Sequence, residues 1–258
     1  MPRVEGLHYE EHGGVTQGPP LVFIHGAGGS RLHWPPALRR LPGVRALAVD
    51  LPGHGASPPG EESSIEGYAA RLGAWQRIVG ARPAVLVGHS MGSAIALTLA
   101  LEGGAAALVL VGAGPRLRVN PALLEGTARR ESFAEAVGRI VRWSFARAAP
   151  RRLVETAQRR MLEVAPAVLH RDLLACDAFD ASARLGEIDV PTLIVHGAED
   201  RMTPPALGEE LACRLRAARR ETIEGAGHMV MLERPEAVAR LLLDFLLVSV
   251  ATSRGGRR

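Results

Sequence analysis

The chain reads as an α/β protein: a mostly parallel central sheet flanked by helices, with an all-helical segment inserted after the strand at 108–111. Three observations predict it. First, apolar runs with little alternation, at 21–24, 84–87, 108–111 and 192–195, are separated by helical segments. That is the pattern of parallel strands covered on both faces. Second, strand signals vanish between about Arg116 and Leu185. There apolar residues recur at helical spacing (Phe133, Val137, Ile140 and Val141, then Val154, Met161 and Val164), punctuated by Pro121, Pro150 and Pro166. Third, Gly88-His89-Ser90-Met91-Gly92 joins the run at 84–87 to the small-residue run at 93–97. It reads strand, sharp turn, helix, with a serine at the apex.

The elements follow in order. A weak strand at 7–11 precedes a Gly- and Pro-rich turn. The run at 21–24 ends in His25-Gly26-Ala27-Gly28-Gly29, and a strand at 45–49 ends in Asp50-Leu51-Pro52-Gly53-His54-Gly55. Asp50 reads as a loop-organising residue. A helix is predicted over 65–79, then come the strand before Ser90, its helix, and the strand at 108–111. The strand pattern resumes at 192–195, a last strand lies near 221–223, and the apolar run at 241–250 fits a final helix on the core. At 258 residues the chain suits one large domain with an insertion. The expected division is a core of 1–115 and 186–258 and a helical unit of 116–185.

Composition narrows the function class. The net charge is +4 and there is no lysine, so every basic side chain is arginine. The arginines are interleaved with acids, without a basic stripe or an aromatic platform, so no nucleic-acid partner is expected. The run at 241–250 is interrupted by Asp244 and is too short to span a bilayer. The N-terminus has no apolar core of a secretory signal, so no membrane association and a cytoplasmic location are expected. Cys176 and Cys213 lie far apart and outside metal-ligand spacing; they read as plain thiols, and no metal site is expected.

A serine hydroxyl is a weak nucleophile near neutral pH. It needs a base to take its proton, an acid to orient that base, and donors for the developing oxyanion. For Ser90 the candidate base is His228, on the glycine-containing loop 225–229 between the last strand and the last helix. The candidate acid is Asp200, at the end of the penultimate strand, with Glu199 as a neighbouring competitor. The end of the preceding strand, Gly112-Ala113-Gly114-Pro115, offers no carboxylate. The order Ser90, Asp200, His228 is the one this elbow motif requires. The candidate oxyanion donors are the backbone N–H groups of Ala27 and Met91. Gly28 and Gly29 allow the chain to approach a substrate closely. The loop 25–29 lacks the lysine and spacing of a phosphate-binding loop.

Taken together, His25-Gly26, the segment 50–55, the pentapeptide at 88–92, the segment 190–200, and Gly227-His228 followed by Glu233-Arg234-Pro235 resemble the α/β-hydrolase fold superfamily. The resemblance is to its single-domain esterases with an all-helical cap inserted after the sixth strand. It implies a substrate cavity between sheet and cap, and no cofactor. Serine at position 90 argues against the dehalogenase and epoxide-hydrolase branches, which use aspartate. Leu117, Val119, Trp143 and Phe145 are candidates for the acyl pocket, with Trp34 near its floor, Gly28 beside it and Met229 facing it. The implied activity is hydrolysis of small to medium carboxylic esters as small-molecule substrates. Alternatives with the same triad are a carbon–carbon bond hydrolase, an enol-lactonase, a thioesterase and a cofactor-free perhydrolase; a non-catalytic receptor on the same fold is more remote. The cap carries thirteen arginines against eight acids. It reads chiefly as a solvated surface, its acids, Asp172 among them, offsetting the arginines; an anionic carrier or substrate is the sharper alternative.

Overall fold

In the computed structural model, which describes residues 3–14 and 18–255, eight strands form one sheet. They are β1 (Arg3–Val4), β2 (Leu7–His12), β3 (Leu21–Ile24), β4 (Ala46–Val49), β5 (Ala84–His89), β6 (Ala105–Val111), β7 (Thr192–Gly197) and β8 (Ala218–Ile223). Their spatial order is β1-β2-β4-β3-β5-β6-β7-β8. The pairs β1–β2 and β2–β4 are antiparallel, and every pair from β4 to β8 is parallel.

Strand side chains alternate between two separate apolar clusters, as the pleat requires. Val22, Ile24, Leu47, Val49, Leu86, Leu108, Leu110 and Ile194 pack on one face. They meet helices α2 (Ile65–Ile78), α3 (Met91–Leu101) and α8 (Pro205–Arg214). Leu21, Phe23, Val85, Val87, Val109, Leu193 and Val195 pack on the other, against α1 (Pro36–Arg39) and α10 (Pro235–Gly255). Helix α2 buries Ile65, Tyr68, Ala69, Leu72 and Trp75, one stripe at helical spacing, and Ser64 caps it by accepting the Gly67 N–H. Helix α3 is apolar on nearly every side because it is enclosed on nearly every side.

Between β6 and β7 lie α4 (Pro121–Ala128), α5 (Phe133–Ser144), α6 (Arg151–Leu162) and α7 (Pro166–Ala178). The two ends of this insertion meet in an antiparallel bridge between Arg116 and Asp180, and the Ala181 N–H donates to the Pro115 carbonyl at 2.9 Å. A short α9 (Val230–Glu233) precedes α10. None of the described helices is long and apolar enough to cross a membrane. Cys176 is buried and Cys213 exposed, and both are free thiols. Asp50, at the end of β4, accepts from the Arg31 N–H and guanidinium, the Ala56 N–H and His8 Nδ1, so it ties β2 to the segments that follow β3 and β4.

The sequence leaves some elements unread. Two-residue β1 is too short to show a period. Strand β8 begins three residues before its predicted start because Arg219 and Arg220 mask it. It is an edge strand, and charge on its outer side blocks further pairing.

Seven of the described histidines are buried; besides His8 and His228 they are His25, His33, His54, His89 and His196. The Leu51 N–H donates to His25 Nε2, so the His25 Nδ1–H donates to the Gly26 carbonyl. His89 Nε2 and His196 Nε2 donate to the carbonyls of His228 and Ala113. In His33, His89 and His196 an Nδ1 without a partner among the described residues lies against a glycine, Gly29, Gly26 and Gly208 respectively. Burial drives His25 and His89 well below the ordinary imidazole range and lowers His196. It takes His33, with help from the Arg160 charge, to about 4. For His54, burial is outweighed by the charge and hydrogen bond of Asp172, and its pKa is raised.

Strand β5 passes into α3 where no side chain fits: a Cβ on Gly88 would overlap the Gly92 carbonyl, and one on Gly92 the Ile24 carbonyl. Gly92→Ala is expected to destabilise by about 1–3 kcal/mol in urea unfolding. Gly186→Ala, with open space around it, is expected to change stability by less than about 0.5 kcal/mol. A second expectation concerns pH. The four histidines with lowered pKa stay neutral in the fold while the unfolded chain takes up protons. Their contribution to stability is therefore complete above pH 6.5 and is lost as pH falls toward about 4. His54 contributes with the opposite sign, its share being lost as pH rises through its raised pKa. The urea midpoint should drop between pH 6.5 and pH 4; a flat midpoint across that window would contradict the assignment.

Candidate active site

Ser90 occupies the junction of β5 and α3 with φ 52° and ψ −118°. A side chain in that region is strained, and here the strain is held by the packing of both elements. The Ser90 N–H donates to the Val111 carbonyl, and its own carbonyl accepts the Ser93 N–H at the first turn of α3. The serine is thereby lifted above the strand ends.

Asp200 follows β7 in a tight turn. One carboxylate oxygen accepts the N–H groups of Met202 (2.9 Å) and Thr203 (2.8 Å). The other accepts from His228 Nδ1 at 2.8 Å and from the Thr203 hydroxyl at 2.9 Å. Burial pushes the Asp200 carboxyl up. The charge and hydrogen bond of His228, with the Thr203 N–H, outweigh this and leave it below the usual carboxylate range. An ionised carboxylate only accepts, so the proton of His228 sits on Nδ1 and Nε2 is left with its lone pair. Glu199, the neighbouring competitor, instead accepts the Arg147 N–H of the insertion. Gly112, at the end of β6, lies against the pair: a Cβ there would come within 2.9 Å of His228 Nδ1.

The loop carrying His228 is held from the insertion side. The Met229 N–H donates to the Ser144 carbonyl, while Glu233 accepts the N–H groups of both Gly227 and Ala146. Burial leaves the Glu233 carboxyl above its ordinary range even with two donors on it.

The oxyanion-loop candidate is a closed turn. The Gly29 N–H donates to the Gly26 carbonyl at 3.1 Å, with Gly28 at φ 62°. Positive φ at the third position, with Ala27 outside that region, is the type II geometry. Met91 is the first residue of α3, where amides lack intrahelical acceptors. Neither the Ala27 nor the Met91 N–H has an acceptor among the described residues.

Ser90, His228 and Ala27 line one cavity of about 290 Å³. Leu117, Val119, Trp143 and Met229 also line it. Three other pocket candidates do not. Trp34 is fully buried beneath the sheet, with its ring 5.1 Å from Phe23, because the residues after Gly29 turn inward rather than along the cavity. Phe145 packs at the base of the insertion, and Gly28 faces Leu169 and Met161. The remaining apolar wall comes from Leu123, Ile140, Met161, Leu169, Leu173 and Leu207. Helical periodicity marks such positions as inward-facing but does not separate a cavity wall from a packed core.

Thr203 and His33 are further cavity residues that sequence reasoning misses, and Glu233, which it meets only as part of a signature, braces the His228 loop. Thr203 Oγ1 lies 3.0 Å from His228 Nδ1 as well as on Asp200, and its spacing three residues after the acid is the one signal available. Among the described residues, no group of histidine, cysteine and carboxylate side chains is arranged to hold a metal ion.

The sequence profile described as the alpha/beta hydrolase family matches residues 21–241. A pimeloyl-(acyl-carrier protein) methyl ester esterase of Neisseria meningitidis serogroup B / serotype 15 (strain H44/76) is 33% identical over 251 residues, spanning 88% of this chain and 92% of that protein. Among solved structures, a thermophilic esterase superposes with a TM-score of 0.81 at 34% identity, covering 96% of each chain. An esterase from Exiguobacterium antarcticum superposes with a TM-score of 0.84 at 23% identity, over 93% of this chain and 95% of that one, and shares the fold. The chain belongs to the alpha/beta hydrolase family.

Proposed function

We propose that this esterase-type hydrolase cleaves carboxylic esters of small to medium acyl groups through a serine nucleophile. The observation that carries the reading is the buried Asp200–His228 pair, whose imidazole lines the same cavity as the strained Ser90. His228 Nε2 takes the proton as Ser90 Oγ attacks the ester carbonyl. Asp200 orients the ring and stabilises the imidazolium that forms. The N–H groups of Ala27 and Met91 receive the oxyanion, a contribution of about 3 kcal/mol per donor in comparable sites. Collapse breaks the ester C–O bond, and the proton on Nε2 leaves with the alcohol. Water, deprotonated by the same nitrogen, then releases the acid and regenerates Ser90.

The cavity, near the lower end of the range of about 300–1,000 Å³ common for ligand sites, supports acyl groups of modest size. Its lining is chiefly aliphatic. Of the arginines on its wall, Arg116 is paired with Glu210, Arg118 donates to the Asp177 carbonyl and Arg201 donates to the Phe145 carbonyl. The acyl chain therefore meets apolar walls.

A second reading concerns how the ester is presented. Helix α6 buries no residue and displays Arg151, Arg152, Arg159 and Arg160. An acidic carrier bearing the ester would be drawn to that surface. The Neisseria relative's name specifies an ester on an acyl-carrier protein, which is in keeping with it.

Ser90→Ala is expected to lower kcat on p-nitrophenyl esters by about 10⁴-fold or more, since triad members act as a unit. Within an acyl-length series kcat/KM should peak at short to medium chains; retained turnover in the variant would remove the mechanism. For the second reading, raising salt from about 50 mM to about 0.5 M should depress kcat/KM for an ester carried on an acidic protein while leaving a neutral ester unaffected. Equal responses would leave α6 a solvated surface.

A further inference from the structure

Asp172, on α7 of the insertion, is fully buried, although its place among the charged residues of a helical surface suggests solvent. Its carboxylate reaches three parts of the core. Oδ1 accepts the Tyr68 hydroxyl of α2 at 2.7 Å. Oδ2 lies 2.8 Å from His54 Nε2 and accepts the Gly28 N–H at 3.1 Å. His54 Nδ1 faces the Pro52 carbonyl at 3.0 Å, so both ring nitrogens meet oxygens that only accept or are already engaged. The ring and the carboxylate must share a proton between Nε2 and Oδ2, and the arrangement that satisfies every partner is an imidazolium against a carboxylate.

The Gly28 N–H belongs to the central peptide of the type II turn 26–29. That peptide is the one that rotates when such a turn changes type. Outside the turn, apolar contacts hold the same spot: a Cβ on Gly28 would come within 2.9 Å of Leu169 Cδ1, one turn before Asp172, and 3.3 Å of Met161. The insertion thus grips the turn 26–29 at its central peptide.

We propose that Asp172 is a positioning residue for the oxyanion loop: paired with His54, it pins the Ala27–Gly28 peptide to α7 and so fixes the seat of the turn 26–29, whose preceding peptide carries the Ala27 N–H. The proposal rests on the serine-esterase reading. It makes the geometry of catalysis depend on the seating of α7. A buried ion pair is a costly way to fasten two elements for stability alone, so its persistence here fits a demand for orientation.

Asp172→Asn separates the two roles. The amide retains the volume but sets an NH₂ group either against Gly28 and His54 or against Tyr68. We expect kcat on a p-nitrophenyl ester to fall by about tenfold to a hundredfold with KM within about twofold. The Gly28 amide resonance should shift and its hydrogen exchange accelerate. Tyr68→Phe removes a partner without touching the loop; it should lower Tm and leave kcat within about twofold. Unchanged kcat in Asp172→Asn, or an equal loss in Tyr68→Phe, would overturn the proposal. Should the Asn variant not fold, slow exchange of the Gly28 amide in the unaltered protein supports the bond, and exchange at the free-peptide rate overturns it. If the unaltered protein turns over no ester, the esterase reading fails by itself; the Gly28 resonance still decides whether Asp172 fixes the loop.

Discussion

The fold is organised by the close crossing of β5 and α3 at Ser90. A non-glycine residue at positive φ costs energy, and the chain accepts it because two carbonyl groups press where side chains would otherwise stand. Gly88 and Gly92 make the crossing sterically possible; the ladder to β6 and the first turn of α3 make it rigid. With the apex fixed, the other groups need only approach from neighbouring strand ends, and the parallel sheet delivers them there. β3 ends at the loop 25–29, β7 at Asp200, and β8 at the segment carrying His228.

The insertion does more than cover this edge. It is fastened to the His228 loop through Glu233 and the Ser144 carbonyl, and to the turn 26–29 through Asp172. In both fastenings a buried carboxylate accepts backbone N–H, two for Glu233 and that of Gly28 for Asp172, which also holds the side chains of His54 and Tyr68. Backbone donors are fixed by the fold itself, so a carboxylate on them constrains the chain path directly. The two loops with the greatest need for exact placement therefore take part of it from a segment outside the sheet.

Much of this was legible in the residues. The motif at 88–92 is local, and its meaning depends only on the strand before and the helix after it. Asp200 and His228 follow from chain order and from their places after apolar runs. The apolar runs marked the parallel strands because burial on both faces removes alternation. Legibility ended where contact depends on tertiary docking. Trp34 and Phe145 are large apolar residues near the site in sequence, yet they fill the core and the base of the insertion. Asp172 sits beside Arg171 on a helix, and nothing in its neighbourhood along the chain announces that Gly28, His54 and Tyr68 converge on it from more than a hundred residues away. Strand β8 was shortened for the opposite reason: its exposed arginines obscure a pattern that hydrogen bonding to β7 enforces.

The bridge between Arg116 and Asp180 has an evolutionary consequence. Entry and exit of the insertion lie side by side, so to the sheet the four helices amount to one long detour in a single connection. Such a detour can be traded for another of different length or shape without re-threading the core. A replacement would still have to bring its own acceptor to the amide of Gly28 and its own donor to Glu233. Pocket shape is thereby free to diversify between descendants, while two small sockets on the underside must be inherited or reinvented.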